Sequence, residues 1–172
     1  MRITVTAESF KLAQVFTISR GSRTQADVLT VRVQDGAHQG MGECVPYARY
    51  GETLESVAAE ISGLPDDLTH ESLQTLLPAG AARNAVDCAL WDLAAKQAGK
   101  RVWDLIGLPA PRPEITAYTL SLDTPDAMQA QAAKNAARPL LKIKLGTPDD
   151  MARLEAVRRG APKSRIIVDA NE

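Results

Sequence analysis

The chain has 172 residues, 45% of them hydrophobic and 24% charged, with a formal net charge of −1. That profile belongs to a soluble globular protein with apolar surface for one core or two small ones, and it excludes disordered and fibrous classes. Lysines and arginines are scattered, so no nucleic-acid partner and no membrane surface is predicted.

No apolar run approaches the roughly 20 residues needed to span a bilayer, and no charged-then-apolar leader precedes the first strand. A cytoplasmic location is expected. In that compartment Cys44 and Cys88, at no metal or redox spacing, are most simply free thiols.

In chain order, Ile3, Val5 and Ala7 alternate with Thr4 and Thr6, and Leu29, Val31 and Val33 alternate with Thr30 and Arg32, as half-buried strands do. Asp35-Gly36 signals a hairpin turn and "HQGMGECVPY" supplies the return strand. Thr53 can cap a helix through "LESVAAEISG", and Thr69 another through "ESLQTLLP". In "AARNAVDCALWDLAAKQAGK", Ala82, Val86, Ala89, Leu90 and Leu93 form an apolar stripe at helical spacing, with Gly99 as the C-terminal stop. Residues 1–110 therefore read as a small α+β domain. His38 and His70 sit near no recognisable cluster, and Trp91 and Trp103 fit packing positions.

From residue 111 the texture changes to strand, helix, strand, helix, strand: "ITAYTLSL", "TPDAMQAQAAKNAA", "LLKIKL", "TPDDMARLEAVRRG" and "RIIVDA". Two joints repeat, "LSLDTPDAM" and "IKLGTPDDM". They predict Thr124 and Thr147 as N-caps, Pro125 and Pro148 at the first helical position, and aspartates favouring the helix dipole. Repeated βα units build a parallel sheet, either a doubly wound fold or a (β/α) barrel. No glycine-rich phosphate-binding turn follows any of these strands, which favours the barrel.

Side chains alternate along a strand, so Lys142 and Lys144 share one face and Leu141, Ile143 and Leu145 the other. Two readings are open. The lysines could guard an edge strand against aggregation, or they could point into a barrel, with Lys144 near the active-site mouth. Asp169 ends the apolar run "IIVDANE". It could be a turn or N-cap aspartate, or a hard-oxygen ligand for Mg2+. Beside two lysines, a metal-binding carboxylate makes a proton-abstraction arrangement.

"KIK" on the second barrel strand and "VDANE" on the third resemble the enolase superfamily, in its muconate-lactonizing subgroup. "RGSR", "GECVPYARYGET" and "AARNAVDCALWDLAAK" are similar to bacterial L-Ala-D/L-Glu dipeptide epimerases. K-x-K alone is a weak signal; followed at this distance by D-A-N, behind a domain of this pattern, it is strong.

The resemblance implies an α+β capping domain followed by the start of a (β/α) barrel that is incomplete in this chain. It also implies a Mg2+ cofactor and reversible removal of the proton α to a carboxylate, through an ene-diolate. That scheme is general to the superfamily and comes with the resemblance alone. By the same resemblance Lys144 is the base or acid on one face of the substrate carbon, and Lys142 sits behind it with a charge that favours a neutral neighbour. Asp169 is one of three carboxylate ligands, the others and the opposing lysine lying beyond Glu172.

The small-molecule partner implied is a dipeptide from cell-wall peptides, and homo-oligomer formation is left open. "SRGSR" and "VPYARYG" are the expected specificity loops. Arg23, with Arg20 as an equal rival, suits bidentate pairing with a glutamate side chain, and Thr119 can contact the dipeptide. Other chemistries in view are a cycloisomerase, an o-succinylbenzoate synthase, an N-acylamino acid racemase, a Schiff-base lysine enzyme, and an inactive fragment that requires the missing C-terminal barrel half.

Overall fold

The computed structural model describes residues 1–18, 21–146 and 148–170. Three antiparallel strands come first: β1 (Arg2–Ile18), β2 (Gly21–Asp35) and β3 (His38–Cys44), hydrogen-bonded in that order. The β2–β3 hairpin closes on a two-residue turn, with Asp35 paired to His38 and Gly36 at φ 55. A glycine tolerates this left-handed conformation without a Cβ clash.

After a 3₁₀ turn at Ala48–Tyr50 come the helices α1 (Leu54–Ser62), α2 (His70–Leu76), α3 (Ala81–Ala98) and α4 (Val102–Leu105). Thr53 and Thr69 close reciprocal capping boxes with Ser56 and Ser72, as the N-cap reading expects. Gly99 ends α3 in the left-handed conformation. The stripe of α3 is buried against Leu29, Val31 and Val33 of β2, Val57 and Ile61 of α1, and Leu73 of α2.

A second sheet is parallel, in the order β4 (Tyr118–Thr119), β5 (Leu140–Lys144), β6 (Arg165–Asp169), with α5 (Pro125–Lys134) and α6 (Asp150–Gly160) between its strands. The expected βα alternation holds. Thr124 caps α5 through the Ala127 amide and Pro125 opens the helix.

Two details differ from the sequence reading. The first strand of this sheet is only Tyr118–Thr119, because the Ser121 and Leu122 amides donate to Gln131 and Thr17 rather than continuing the ladder. The helix predicted to start at Pro148 starts at Asp150, after Asp149 with no side-chain cap bond. The Asp150 carboxylate accepts the Gly146 amide at 2.8 Å. Thr147 lies outside the described residues.

The chain divides into two compact units, Met1–Phe10 with Gln25–Pro111, and Lys11–Thr24 with Arg112–Glu172. The long β1–β2 hairpin thus contributes its base to the first unit and its far end to the second. "SRGSR", expected as a loop, is in part strand: Gly21, Ser22 and Arg23 open β2. A hydroxyl contact of 2.9 Å between Thr17 and Ser22 ties β1 to β2.

Candidate active site

β5 is the central strand of the parallel sheet, flanked by β4 and β6. Its Leu141 and Ile143 are fully buried in a cluster with Met128 and Ala132 of α5 and Val157 of α6. Alternation then directs Lys142 and Lys144 to the face away from the helices. A central strand has no free edge to guard, so edge protection does not explain these lysines.

In the β5–β6 register Lys144 lies opposite Asp169, and in the β4–β5 register Thr119 lies opposite Lys142. Partners in register project from the same side of a sheet, so Thr119, Lys142, Lys144 and Asp169 occupy one face. Both ammonium groups reach one carboxylate oxygen: Lys142 Nζ is 2.8 Å and Lys144 Nζ 3.0 Å from Asp169 Oδ2. Lys144 is the more enclosed, its side chain 18% exposed against 32% for Lys142.

Asp169 does not act as a helix cap among the described residues; its carboxylate receives the lysines. It offers the hard oxygen that Mg2+ prefers. Among the described residues no three His, Cys, Asp or Glu side chains gather into a cation cage. Arg23 is exposed on β2 within the second unit. Arg20 lies outside the described residues.

Several arrangements were not read from sequence. His70 Nδ1 lies 2.9 Å from Asp87 Oδ1 and its ring stacks on Trp91 at 4.3 Å. Glu52 accepts the Tyr47 amide at 2.9 Å and the Ala81 amide at 2.7 Å, so it binds the 47–52 turn to the N-terminus of α3. That helix begins at a glycine with no capping side chain, and Glu52 supplies the acceptor. The only local signal was an acidic residue just before the Thr53 cap. Both cysteines are free. The Cys44 thiol is pushed up to about 11, first by burial and then by the Glu52 and Glu43 carboxylates, so it stays protonated and inert near neutrality.

Residues 1–107 match the N-terminal domain of the mandelate racemase / muconate lactonizing enzyme family. The chain belongs to this family. It is 46% identical over 176 residues to the L-Ala-D/L-Glu epimerase of Escherichia coli, an alignment covering 99% of this chain and 55% of that protein. A solved enolase family member from Agrobacterium tumefaciens, described as homologous to dipeptide epimerases and holding sodium and L-Ala-L-Glu, superposes with a TM-score of 0.93 at 57% identity. The overlap covers 99% of this chain and 53% of that one. A dipeptide epimerase from Enterococcus faecalis, complexed with Mg and L-Leu-L-Tyr, superposes with a TM-score of 0.85 at 28% identity, over 99% of this chain and 53% of its own.

The chain spans about half the length of the curated relatives it matches. In this enolase-superfamily chain the first unit is the α+β capping domain and the parallel sheet is the start of a (β/α) barrel, three strands of an eight-stranded fold. In a barrel, active sites lie at the C-terminal strand ends, where Thr119, Lys144 and Asp169 stand as the last residues of β4, β5 and β6.

Proposed function

We propose that the whole protein is a dipeptide epimerase that removes and returns the α-proton of a dipeptide residue, with L-Ala-D/L-Glu from cell-wall peptides as its substrate and the cytoplasm as its place of action. The observation that carries this reading is the placing of Lys142, Lys144 and Asp169 on one face at the strand ends. Lys144, the more enclosed lysine, holds or takes the proton at Nζ on one side of the substrate carbon. Lys142 keeps positive charge beside it and helps hold the substrate carboxylate. Asp169 would supply one oxygen to Mg2+, which when bound adds positive charge where the ene-diolate gathers negative charge. Arg23 would pair with the glutamate side chain and Thr119 would contact the dipeptide. No helix among the described residues is long and apolar enough to cross a membrane.

The test is α-proton exchange in heavy water over a panel of dipeptides and N-acylamino acids, with and without Mg2+, using the whole protein. Mg2+-dependent deuterium uptake into L-Ala-L-Glu is expected. Uptake into N-acylamino acids alone would replace the dipeptide reading, and trapping of substrate on Lys144 by borohydride would replace the chemistry.

Two consequences are specific. Asp169→Asn keeps the shape and removes the charge a hard cation needs, so Mg2+ affinity and exchange should fall together; an unchanged Mg2+ titration would remove Asp169 from the ligand set. Arg23→Met should penalise L-Ala-L-Glu far more than L-Ala-L-Met, by roughly 10- to 100-fold in the ratio of kcat/KM, because a site built for a polar group discriminates when its partner is lost. Equal losses for both substrates would release Arg23 from this role.

A further inference from the structure

We propose that Ser121 is a positioning residue for substrate selection, anchoring the far end of the β1–β2 hairpin to the barrel strand that carries Thr119. This rests on the dipeptide reading above and deepens it. Ser121 is a buried polar residue, 7% exposed, two positions beyond Thr119. Its Oγ accepts the Thr17 amide at 2.9 Å and lies 3.4 Å from the Val15 carbonyl, to which it donates. Those partners are 104 and 106 residues away in sequence. The Leu122 amide adds a backbone bond of 3.1 Å to the Thr17 carbonyl.

The connection continues toward Arg23. Thr17 Oγ1 shares a hydrogen bond of 2.9 Å with Ser22 Oγ across the hairpin, and Arg23 is the next residue. On the other side, the Ser121 amide donates to Gln131 Oε1 of α5 at 3.2 Å, and the Leu120 amide bonds the Lys142 carbonyl at 2.9 Å. The Ser121 hydroxyl thus holds β1, which Thr17 Oγ1 ties to Ser22 beside Arg23, while the neighbouring Leu120 amide holds the same segment to β5, all within the second unit. A hydroxyl with both a donor and an acceptor partner fixes its neighbours in distance and in direction. An alanine here removes the acceptor of the half-buried Thr17 amide and the donor to the Val15 carbonyl together.

The test compares Ser121→Ala and Ser121→Thr in the whole protein. KM for L-Ala-L-Glu should rise roughly three- to tenfold in Ser121→Ala, the span of one net hydrogen bond, with a smaller change in kcat and in KM for L-Ala-L-Met. Ser121→Thr, which keeps the hydroxyl, should restore the acidic preference. Amide hydrogen exchange gives a readout independent of catalysis: Thr17 and Leu122 should lose protection in Ser121→Ala while the β5 amides keep theirs. Equal KM changes for both dipeptides, an unchanged KM, or failure of threonine to rescue would overturn the selective role. Unchanged protection at Thr17 and Leu122 would overturn the anchor itself. Failure of the dipeptide reading shows separately, as absence of exchange by the unsubstituted protein on any dipeptide, and it would overturn the selective role while amide exchange still decides the anchor.

Discussion

Lys144→Ala in the whole protein is expected to abolish α-proton exchange from one stereoisomer of the substrate residue, a loss of roughly 10²–10⁴-fold or more, the usual weight of a positioned general base. The fold should survive the change. Leu141 and Ile143, on the opposite side of β5, hold the strand against α5 and α6, and the ion pair with Asp169 is partly exposed. Lys144→Arg sharpens the test, because it retains a positive charge facing Asp169 but cannot give up its proton near neutrality. It should be as inactive as the alanine variant while binding substrate better. Circular dichroism checks folding, and deuterium wash-in to each isomer, followed by NMR, reads the chemistry. Both isomers exchanging at the parental rate would show that Lys144 is not the base.

Gly42→Ala is expected to be the most disruptive small substitution in the first unit. β3 lies against α3 through two glycines on one face, with no room for a side chain. A Cβ on Gly42 would stand 2.0 Å from the Ala85 carbonyl oxygen and 2.9 Å from the Ala89 amide nitrogen, and one on Gly40 2.0 Å from the Ala89 carbonyl oxygen. These are helix backbone atoms, which cannot rotate aside as a long side chain does. Strand and helix would have to separate, although β3 is also tied to α3 by the Met41 amide on Asp92 at 2.8 Å and by Lys96 Nζ on the Gln39 carbonyl at 2.9 Å. Separation would loosen the packing of Ala85, Val86 and Ala89 in the core. A loss of about 3 kcal/mol or more follows, the upper part of the range for overpacking. Urea unfolding of the whole protein reads it as a lower midpoint. Met41→Ala serves as the control, since Met41 is 44% exposed between the two glycines and on the other face. A midpoint unchanged by Gly42→Ala would mean that the strand does not lie this close to the helix.

Features that depend on near neighbours in the chain were legible in the residues alone. Thr53, Thr69 and Thr124 cap their helices and Gly99 ends α3, because a cap needs only the amides two or three residues away. The period of two in Leu140–Leu145 placed Lys142 and Lys144 on one face, and the motif spacing led to the enolase superfamily. The remaining features came from the packed fold, because their partners lie in distant parts of the chain. Whether the lysines guarded an edge or entered an interior depended on β6 arriving beside β5 with Asp169 in register. The repeated Thr-Pro-Asp joint predicted two identical helix starts, yet the second helix begins at Asp150, whose carboxylate accepts the Gly146 amide. Gly40 and Gly42 were visible as residues, but only the closeness of α3 shows why a side chain there is excluded. Ser121 carried no local signal at all: a serine after a short strand is ordinary until Thr17 arrives to use its hydroxyl. Periodicity and capping are short-range interactions that the local sequence encodes, whereas register, close approach and buried polar pairing exist only when remote segments meet.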